Sequence, residues 1–177
     1  MNSQDVILGV LMKRKLSGYD IKQLFETIFS YFYNASFGTI YPTLAKMEKE
    51  GLISKESIIQ EGKPNKNVFT ITEEGKRRFA AYIASPITPN ELKSDFMMRM
   101  FFGEYTEADQ IKEWLELGIQ EQEAELHKLR EDYKRYKPGM SVTQEICIRI
   151  GLAQVEATLL SLQEGYKRVL AKEADNQ

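Results

Sequence analysis

The 177-residue chain holds one cysteine, Cys147, and one histidine, His127. A single cysteine excludes an intrachain disulfide and any cysteine-based metal cluster. With one histidine beside it, the Cys/His ligand sets of zinc sites are nearly excluded too. Triad-type catalysis would have to run through those two residues alone. Proline numbers 5 and glycine 11, which rules out a collagen-like chain. No apolar run approaches the ~18 residues of a membrane span. The stretch Val6 to Met12 is apolar, but Asp5 precedes it and Lys13, Arg14 and Lys15 follow, the reverse of a secretory signal's polarity. The expectation is a cytoplasmic, reduced protein with no membrane partner. Net charge is only −2, while 42% of residues are hydrophobic, so the chain has the means to bury a core and is not of the disordered class.

That small net charge hides an asymmetry. Residues 1–84 carry 12 Lys+Arg against 9 Asp+Glu, a net of +3; residues 85–177 carry 12 against 17, a net of −5. A basic front and an acidic back suggest two modules, of which only the front suits a polyanion. Ser85-Pro86-Ile87-Thr88-Pro89 lies between them, and two prolines in four residues forbid a continuous helix. The expected division is a domain over 1–84, a linker over 85–89 and a second domain over 90–177.

Within the front, Val6, Ile7, Val10 and Leu11 predict a first helix beginning after Asn2 or Ser3. Ser17 opens a second, with Asp20 three residues on completing a capping box. Ile21, Leu24, Phe25 and Ile28 form its apolar face. An aromatic loop over 31–35 follows, and Ser36 is the next candidate cap. Ile40, Leu44 and Met47 give a third helix its inward stripe, and Gly51 ends it. Pro42 is tolerable only in a first turn, so that helix starts near Thr39 or Ile40. Leu52–Ile59 and Asn67–Ile71 flank a turn of Gly, Pro, Asn and Lys, which reads as a β-hairpin with a long basic tip. Thr72 caps a fourth helix whose buried side is Phe79, Tyr82 and Ile83.

The back is all helix. Residues 90–102 read as one helix ending at Gly103, and a long one runs from a Thr106 cap to Tyr136. The last helix starts at Ser141 and carries two apolar stripes. One is Ile148, Leu152, Val155, Leu159, Leu162, Tyr166 and Val169; the other is Val142, Ile146, Ile150, Ala153, Ala157 and Leu160. Two stripes need two partners, the neighbouring helix and, most simply, a second copy of the chain. The fold class expected is mainly α with a small β-hairpin: a winged helix-turn-helix followed by an α-helical hairpin that dimerises.

Helix, helix, helix, hairpin, helix is an order that fits double-stranded DNA. A helix enters the ~12 Å major groove and a basic hairpin tracks the phosphates beside it. The third helix presents Thr39, Tyr41, Thr43 and Lys46; the tip presents Lys63, Asn65 and Lys66; the start of the second helix, at Ser17, Gly18 and Tyr19, offers amides to a phosphate.

Several segments together resemble the PadR family of bacterial transcriptional regulators. They are Ser17-Gly18-Tyr19-Asp20-Ile21, Ser36-Phe37-Gly38-Thr39-Ile40-Tyr41-Pro42-Thr43-Leu44 and Met47-Glu48-Lys49-Glu50-Gly51-Leu52-Ile53. Gly62-Lys63-Pro64-Asn65-Lys66 and Thr70-Ile71-Thr72-Glu73-Glu74-Gly75 belong with them. Phe69 stands where the family usually has Tyr. The resemblance covers most of residues 3–80. It implies a homodimeric winged helix that binds palindromic operators, usually as a repressor, and adds Ser36 and Pro42 to the DNA-facing residues. The back half is similar to the subfamily with a two-helix C-terminal dimerisation domain, which Lys93-Ser94-Asp95-Phe96 and Met97 to Phe102 would open. Members of that layout repress phenolic acid decarboxylase and are released by phenolic acids; others answer to drugs or activate virulence genes.

Two readings stay open for the Phe96–Phe102 run: plain core, or the wall of an effector pocket built from Met97, Arg99, Met100 and Phe101, with Arg99 available to a carboxylate. Trp114 stacks a ligand or locks the dimer, together with the first stripe, Ile148 to Tyr166. His127 is read as solvated and Cys147 as a buried small hydrophobe. No cofactor, no metal and no enzymatic activity are expected, since neither a phosphate-binding glycine loop nor a ligand cluster is present. The rival reading is a winged-helix protein-interaction module without sequence-specific DNA binding.

Overall fold

The structure, a computed structural model, describes residues 1–29, 33, 39–60, 63–90 and 92–175. Ser36 and most of the expected 31–35 loop lie outside the described residues, as do the side chains of Lys63 and Asn65. The chain divides into two compact units, Met1–Asn90 and Glu91–Gln177.

The first unit begins with α1 (Ser3–Leu11). Asn2 and Asp5 cap it reciprocally: the Asp5 amide donates to Asn2 Oδ1 at 3.2 Å and the Asn2 amide to Asp5 Oδ2 at 2.8 Å, so the buried Asp5 carboxylate is satisfied. Then come β1 (Leu16–Ser17), α2 (Gly18–Thr27) and α3 (Ile40–Lys49). After α3 the chain must turn sharply. Gly51 takes φ 71°, the left-handed region open to glycine, and the Leu52 amide closes on the Met47 carbonyl at 2.9 Å. Strands β2 (Ile53–Gln60) and β3 (Lys63–Ile71) pair antiparallel from Ile53↔Ile71 to Gln60↔Lys63, with an irregularity between Ile58 and Gln60.

Two corrections to the predicted hairpin follow. The strands reach Gln60 and resume at Lys63, so residues 63–66 belong to β3 rather than to a long tip. And the sheet has three strands, in the order β1-β3-β2, with Leu16 opposite Phe69 and Ser17 opposite Val68. A two-residue strand has no periodicity to read. Its presence makes β3 the central strand, which is why Val68 and Phe69 are both buried and the alternation breaks there.

The core of this unit joins Ile7 and Leu8 of α1, Ile21 and Phe25 of α2, Ile40, Leu44 and Met47 of α3, and Ile53. Each such side chain contributes roughly 1.5–3 kcal/mol on burial. Phe29 and Tyr33 meet Phe25 edge-on, at 5.7 and 5.9 Å between centroids. Helix α4 (Glu73–Ala84) is capped by Thr72, whose Oγ1 accepts from the Gly75 amide at 3.1 Å. A Cβ on Gly75 would stand 2.2 Å from the Leu52 carbonyl oxygen, so the close approach of α4 to β2 requires glycine there. Of the predicted buried side of α4, Phe79 packs on the core and Tyr82 is half-buried, but Ile83 is 64% exposed. It sits in the last turn, past the reach of the core. Residues 85–90 carry no regular structure.

The second unit contains α5 (Asp95–Phe101), α6 (Ala108–Tyr136) and α7 (Val142–Asp175). Helix α5 is shorter than predicted because its cap is Ser94, which accepts from the Met97 amide at 3.1 Å. The cap position of α6 is Glu107, not Thr106, with no side-chain cap bond. Helices α6 and α7 form an antiparallel hairpin. Arg130 meets Glu156 at 2.8 Å, the Tyr133 hydroxyl donates to Glu145 at 2.6 Å, and that of Tyr166 to Glu116. Leu115, Leu126, Leu129, Val155 and Leu162 are its buried apolar residues. His127 is exposed as expected, whereas Cys147 is exposed and not buried. Position 147 falls on neither apolar stripe of α7.

Candidate nucleic-acid interface

Helix α3 buries Ile40, Leu44 and Met47 at i, i+4 and i+7 spacing. The opposite face therefore turns outward: Thr39, Tyr41, Pro42 and Lys46 are exposed and Thr43 is half-buried. Pro42 lies in the first turn, where its missing N–H has no intrahelical acceptor anyway. The Thr43 hydroxyl donates to the Thr39 carbonyl at 2.7 Å, which leaves it only lone pairs for a ligand. Lys46 reaches Glu50 at 3.7 Å, an exposed pair that exchanges readily for another anion. Tyr41 is 54% exposed, and the flank of its ring closes on the start of α2. A Cβ on Gly18 would stand 2.8 Å from Tyr41 Cε1, so the absence of a side chain at 18 is what lets the ring lie there. Tyr19, next to it, is 66% exposed.

The start of α2 differs from the expectation in one respect. Ser17 is 4% exposed. Its Oγ donates to Asp20 Oδ2 at 2.6 Å, its amide donates to the same oxygen at 3.0 Å, and Oγ accepts from the Asp20 amide at 3.1 Å. Both donors of Ser17 are spent on the cap, so Ser17 cannot itself hold a phosphate. The Ser17 hydrogen bond holds the Asp20 carboxyl below the ordinary carboxylate range, burial opposes that, and Lys66 adds to it. Lys66 Nζ stands 3.5 Å from Asp20 Oδ2, which ties the wing strand β3 to the helix start. Asp20, Lys66, Tyr19 and Tyr41 are thus set around the α2 N-terminus.

Lys13, Arg14 and Lys15, which the sequence offers only as the wrong polarity for a secretory signal, are exposed in the turn that leads into β1. Since β1 pairs with β3, this turn leads directly into the edge strand beside the wing, and Lys15 reaches Glu56 of β2 at 3.8 Å. Three cations in a row were the signal; the missed strand hid their place.

The second unit holds a cleft of about 890 Å³ formed by residues of α5, α6 and α7, with Phe96, Trp114, Leu117 and Leu162 among its walls. Of the expected effector residues, Met97 and Arg99 line it; Met100 and Phe101 do not. Arg99 lies 5.8 Å from the centroid of the Trp114 ring, and its Nε donates to Asp95 at 2.7 Å. Both partners are solvent-exposed, so this pair, like Lys46 with Glu50, exchanges readily for another carboxylate. On α7, Val155 and Leu162 are buried inside the hairpin and Ile148, Leu152, Leu159 and Tyr166 are half-buried. Leu162 Cδ1 comes within 3.3 Å of where a Cβ of Gly118 on α6 would be. The stripe named for the dimer is the one used within the subunit. The other stays open, with Val142, Ile146, Ile150 and Leu160 between 52 and 76% exposed. Among the described residues no His/Cys/Asp/Glu group could hold a metal ion, and no helix is long and apolar enough to cross a membrane.

A winged helix with an outward polar helix, a cation-bearing central strand and a separate helical hairpin defines the class of DNA-binding transcriptional regulators. Comparison with known proteins narrows this. The family model described as transcriptional regulator PadR-like matches residues 7–81. The negative transcriptional regulator PadR of Bacillus subtilis is 32% identical over 131 residues, 73% of this chain and 71% of that protein. The PadR-like transcriptional regulator BC1756 from Bacillus cereus has a crystal structure with a TM-score of 0.88 and 38% identity, covering 97% of this chain and 99% of that one. Bacillus subtilis PadR in complex with operator DNA gives 0.80 at 25% identity, covering 94% and 98%. The same regulator with p-coumaric acid gives 0.75 at 23%, a likeness of fold, covering 94% and 97%. This chain belongs to the PadR family; it is a transcriptional regulator and not an enzyme.

Proposed function

We propose that the protein is a repressor that binds a palindromic operator in the cytoplasm as a homodimer and is released by a small aromatic effector. The observation that carries the reading is the outward face of α3. Thr39, Tyr41, Pro42 and Lys46 project from a helix whose other face is locked into the core, beside Tyr19 and the Lys66 of the wing strand. A rigid helix with hydroxyls and one cation suits base edges and phosphates in a major groove. Lys46, Lys66 and the Lys13–Lys15 turn supply the phosphate contacts, joined by Lys63 and Asn65 at the start of β3. Thr39, Tyr41 and Thr43 face bases or the nearby backbone. The complex of Bacillus subtilis PadR with operator DNA supports this use of the fold, and its complex with p-coumaric acid supports an aromatic effector.

Two copies would set their α3 helices in successive major grooves about 34 Å apart. The open stripe of α7, Val142, Ile146, Ile150 and Leu160, is the surface a second copy would cover. An effector shifts such a dimer only through different affinities for the binding and non-binding arrangements.

Selection of double-stranded DNA from a random pool by the purified protein tests this. Recovery of an inverted repeat, with affinity falling steeply as salt rises, is expected. Salt-labile but sequence-blind retention would overturn the operator. Retention of no DNA would favour the protein-interaction module, with the acidic hairpin as its working surface.

A further inference from the structure

We propose that Asp20 is a built-in competitor for Lys66: its carboxylate stands where a DNA phosphate would, and so sets how tightly the first unit holds any duplex. The proposal rests on the reading of α3 and β3 as the DNA face. The sheet register brings the two residues together. Ser17 of β1 lies opposite Val68 of β3, and the strands are antiparallel, so the chain leaving Ser17 into α2 passes along the residues that precede Val68. Asp20, in the first turn of α2, thus meets Lys66, with Nζ 3.5 Å from Oδ2.

Other acids on this surface can move out of a ligand's way. Lys15 meets Glu56 at 3.8 Å and Lys46 meets Glu50 at 3.7 Å, each between exposed side chains. Those carboxylates end flexible glutamates, which swing aside when a phosphate takes the lysine. Asp20 is pinned. Its Oδ2 accepts from the hydroxyl of the buried Ser17 at 2.6 Å and from the Ser17 amide at 3.0 Å, and the Asp20 amide donates back to that hydroxyl at 3.1 Å. Swinging the carboxylate away would strand donors of a buried residue, which costs more than an exposed ion pair returns. The helix start also favours an anion where Asp20 sits.

The negative charge therefore stays in place when DNA arrives. A phosphate that takes Lys66 shares the ammonium with Asp20 and is repelled by its carboxylate. The penalty is the same for every base sequence, since neither group reads bases. At an operator, base contacts offset it; sequence-blind DNA, which a regulator meets in large excess, has only phosphate contacts to do so.

Fluorescence anisotropy of the full-length protein tests this, with a labelled operator recovered by selection and a labelled duplex of unrelated sequence. Asp20→Asn keeps an oxygen for Ser17 and removes the charge. It should bind both duplexes about fivefold more tightly, by one common factor, and the gain should shrink as salt rises. In a Lys66→Ala background the same change should gain no more than about twofold, and so should Glu56→Gln, which removes an acid that is not pinned. Circular dichroism checks the fold, and Asp20→Ser is the neutral variant if the asparagine variant does not fold. Unchanged or weaker binding by the neutral variant overturns the proposal and leaves Asp20 as a cap and a tie for the wing. A full gain without Lys66 overturns it as well, because the carboxylate would then act without the lysine. So does an equal gain from Glu56→Gln, because the pin would then be irrelevant. Wild-type protein that retains neither duplex removes the DNA face itself, and this proposal with it.

Discussion

The two units solve the same problem of burial in opposite ways. In Met1–Asn90, short helices and three short strands close on one core, and Phe25, Ile7, Leu8, Ile21, Ile40, Leu44, Met47 and Ile53 are all buried to within 2%. In Glu91–Gln177, two helices of 29 and 34 residues bury only a handful of leucines and a valine between them. Met97, Met98, Phe101, Phe102, Tyr105 and the open stripe of α7 remain exposed. Three elements can surround a core, whereas two helices can cover only one stripe of each other. The first unit holds its surface rigid on a closed core; the second leaves an apolar stripe of α7 open.

That contrast can be broken at its strongest point by two glycines. Gly75→Ala forces a Cβ to 2.2 Å from the Leu52 carbonyl and should cost the first unit about 3 kcal/mol or more, with loss of DNA binding. Gly165→Ala in α7 meets only Leu115 at 3.7 Å and should be neutral or stabilising by up to about 1 kcal/mol. Urea unfolding of both variants checks this; equal losses would mean that the second unit is packed as tightly as the first.

Ile146→Glu with Ile150→Glu should yield a monomer in sedimentation, with operator affinity down about a hundredfold and the first unit's unfolding midpoint unchanged. A variant that remains a dimer would move the interface off the open stripe. Gly18→Ala, at the 2.8 Å approach to Tyr41, should displace the ring and lower operator affinity about tenfold. In a Tyr41→Ala background the same change should cost little more, and full additivity would separate Gly18 from the ring.

Lys66→Ala should lower the salt dependence of DNA binding by about one counterion, for all sequences alike. The smallest effect concerns pH. The Asp20 carboxyl is depressed by its Ser17 hydrogen bond, so its stabilisation is complete above the ordinary carboxylate pKa of about 3.9 and is lost as pH falls through the lower folded value. The stability gap between the wild type and Asp20→Asn should therefore be constant from neutral pH to about pH 5 and close below about pH 4. A gap that persists in acid would show that shape, not charge, holds the cap.

Much of this was legible in local pattern. The Ser17–Asp20 cap, the inward stripe of α3 and Gly51 at its end are set by residues within a turn or two of each other. The differences have both distant and local causes. Strand β1 exists only because β3 is there to pair with it, and that pairing gives the Lys13–Lys15 turn a place beside the wing, while residues 63–66 join β3 through their pairing with β2. Ser17 stood among the residues offering amides to a phosphate although its capping box already commits its amide to Asp20, and Asp20 takes its hydroxyl proton as well. Arg99 meets Asp95, four residues earlier on the same helix, at the spacing at which helical neighbours pair.

By itself the sequence determined the kind of protein this is: a winged helix with PadR motifs, joined through a proline-containing linker to a helical hairpin. Spacing, caps and turn residues act over a few residues, and their energies do not depend on what lies far along the chain. Only the tertiary structure decided which of two equivalent stripes on α7 is used inside the subunit, which cations stand beside the wing, and that the cleft beside Trp114 is lined by more acid than base. Those are properties of residues brought together from separate elements, where burial and charge are settled by what each side chain meets.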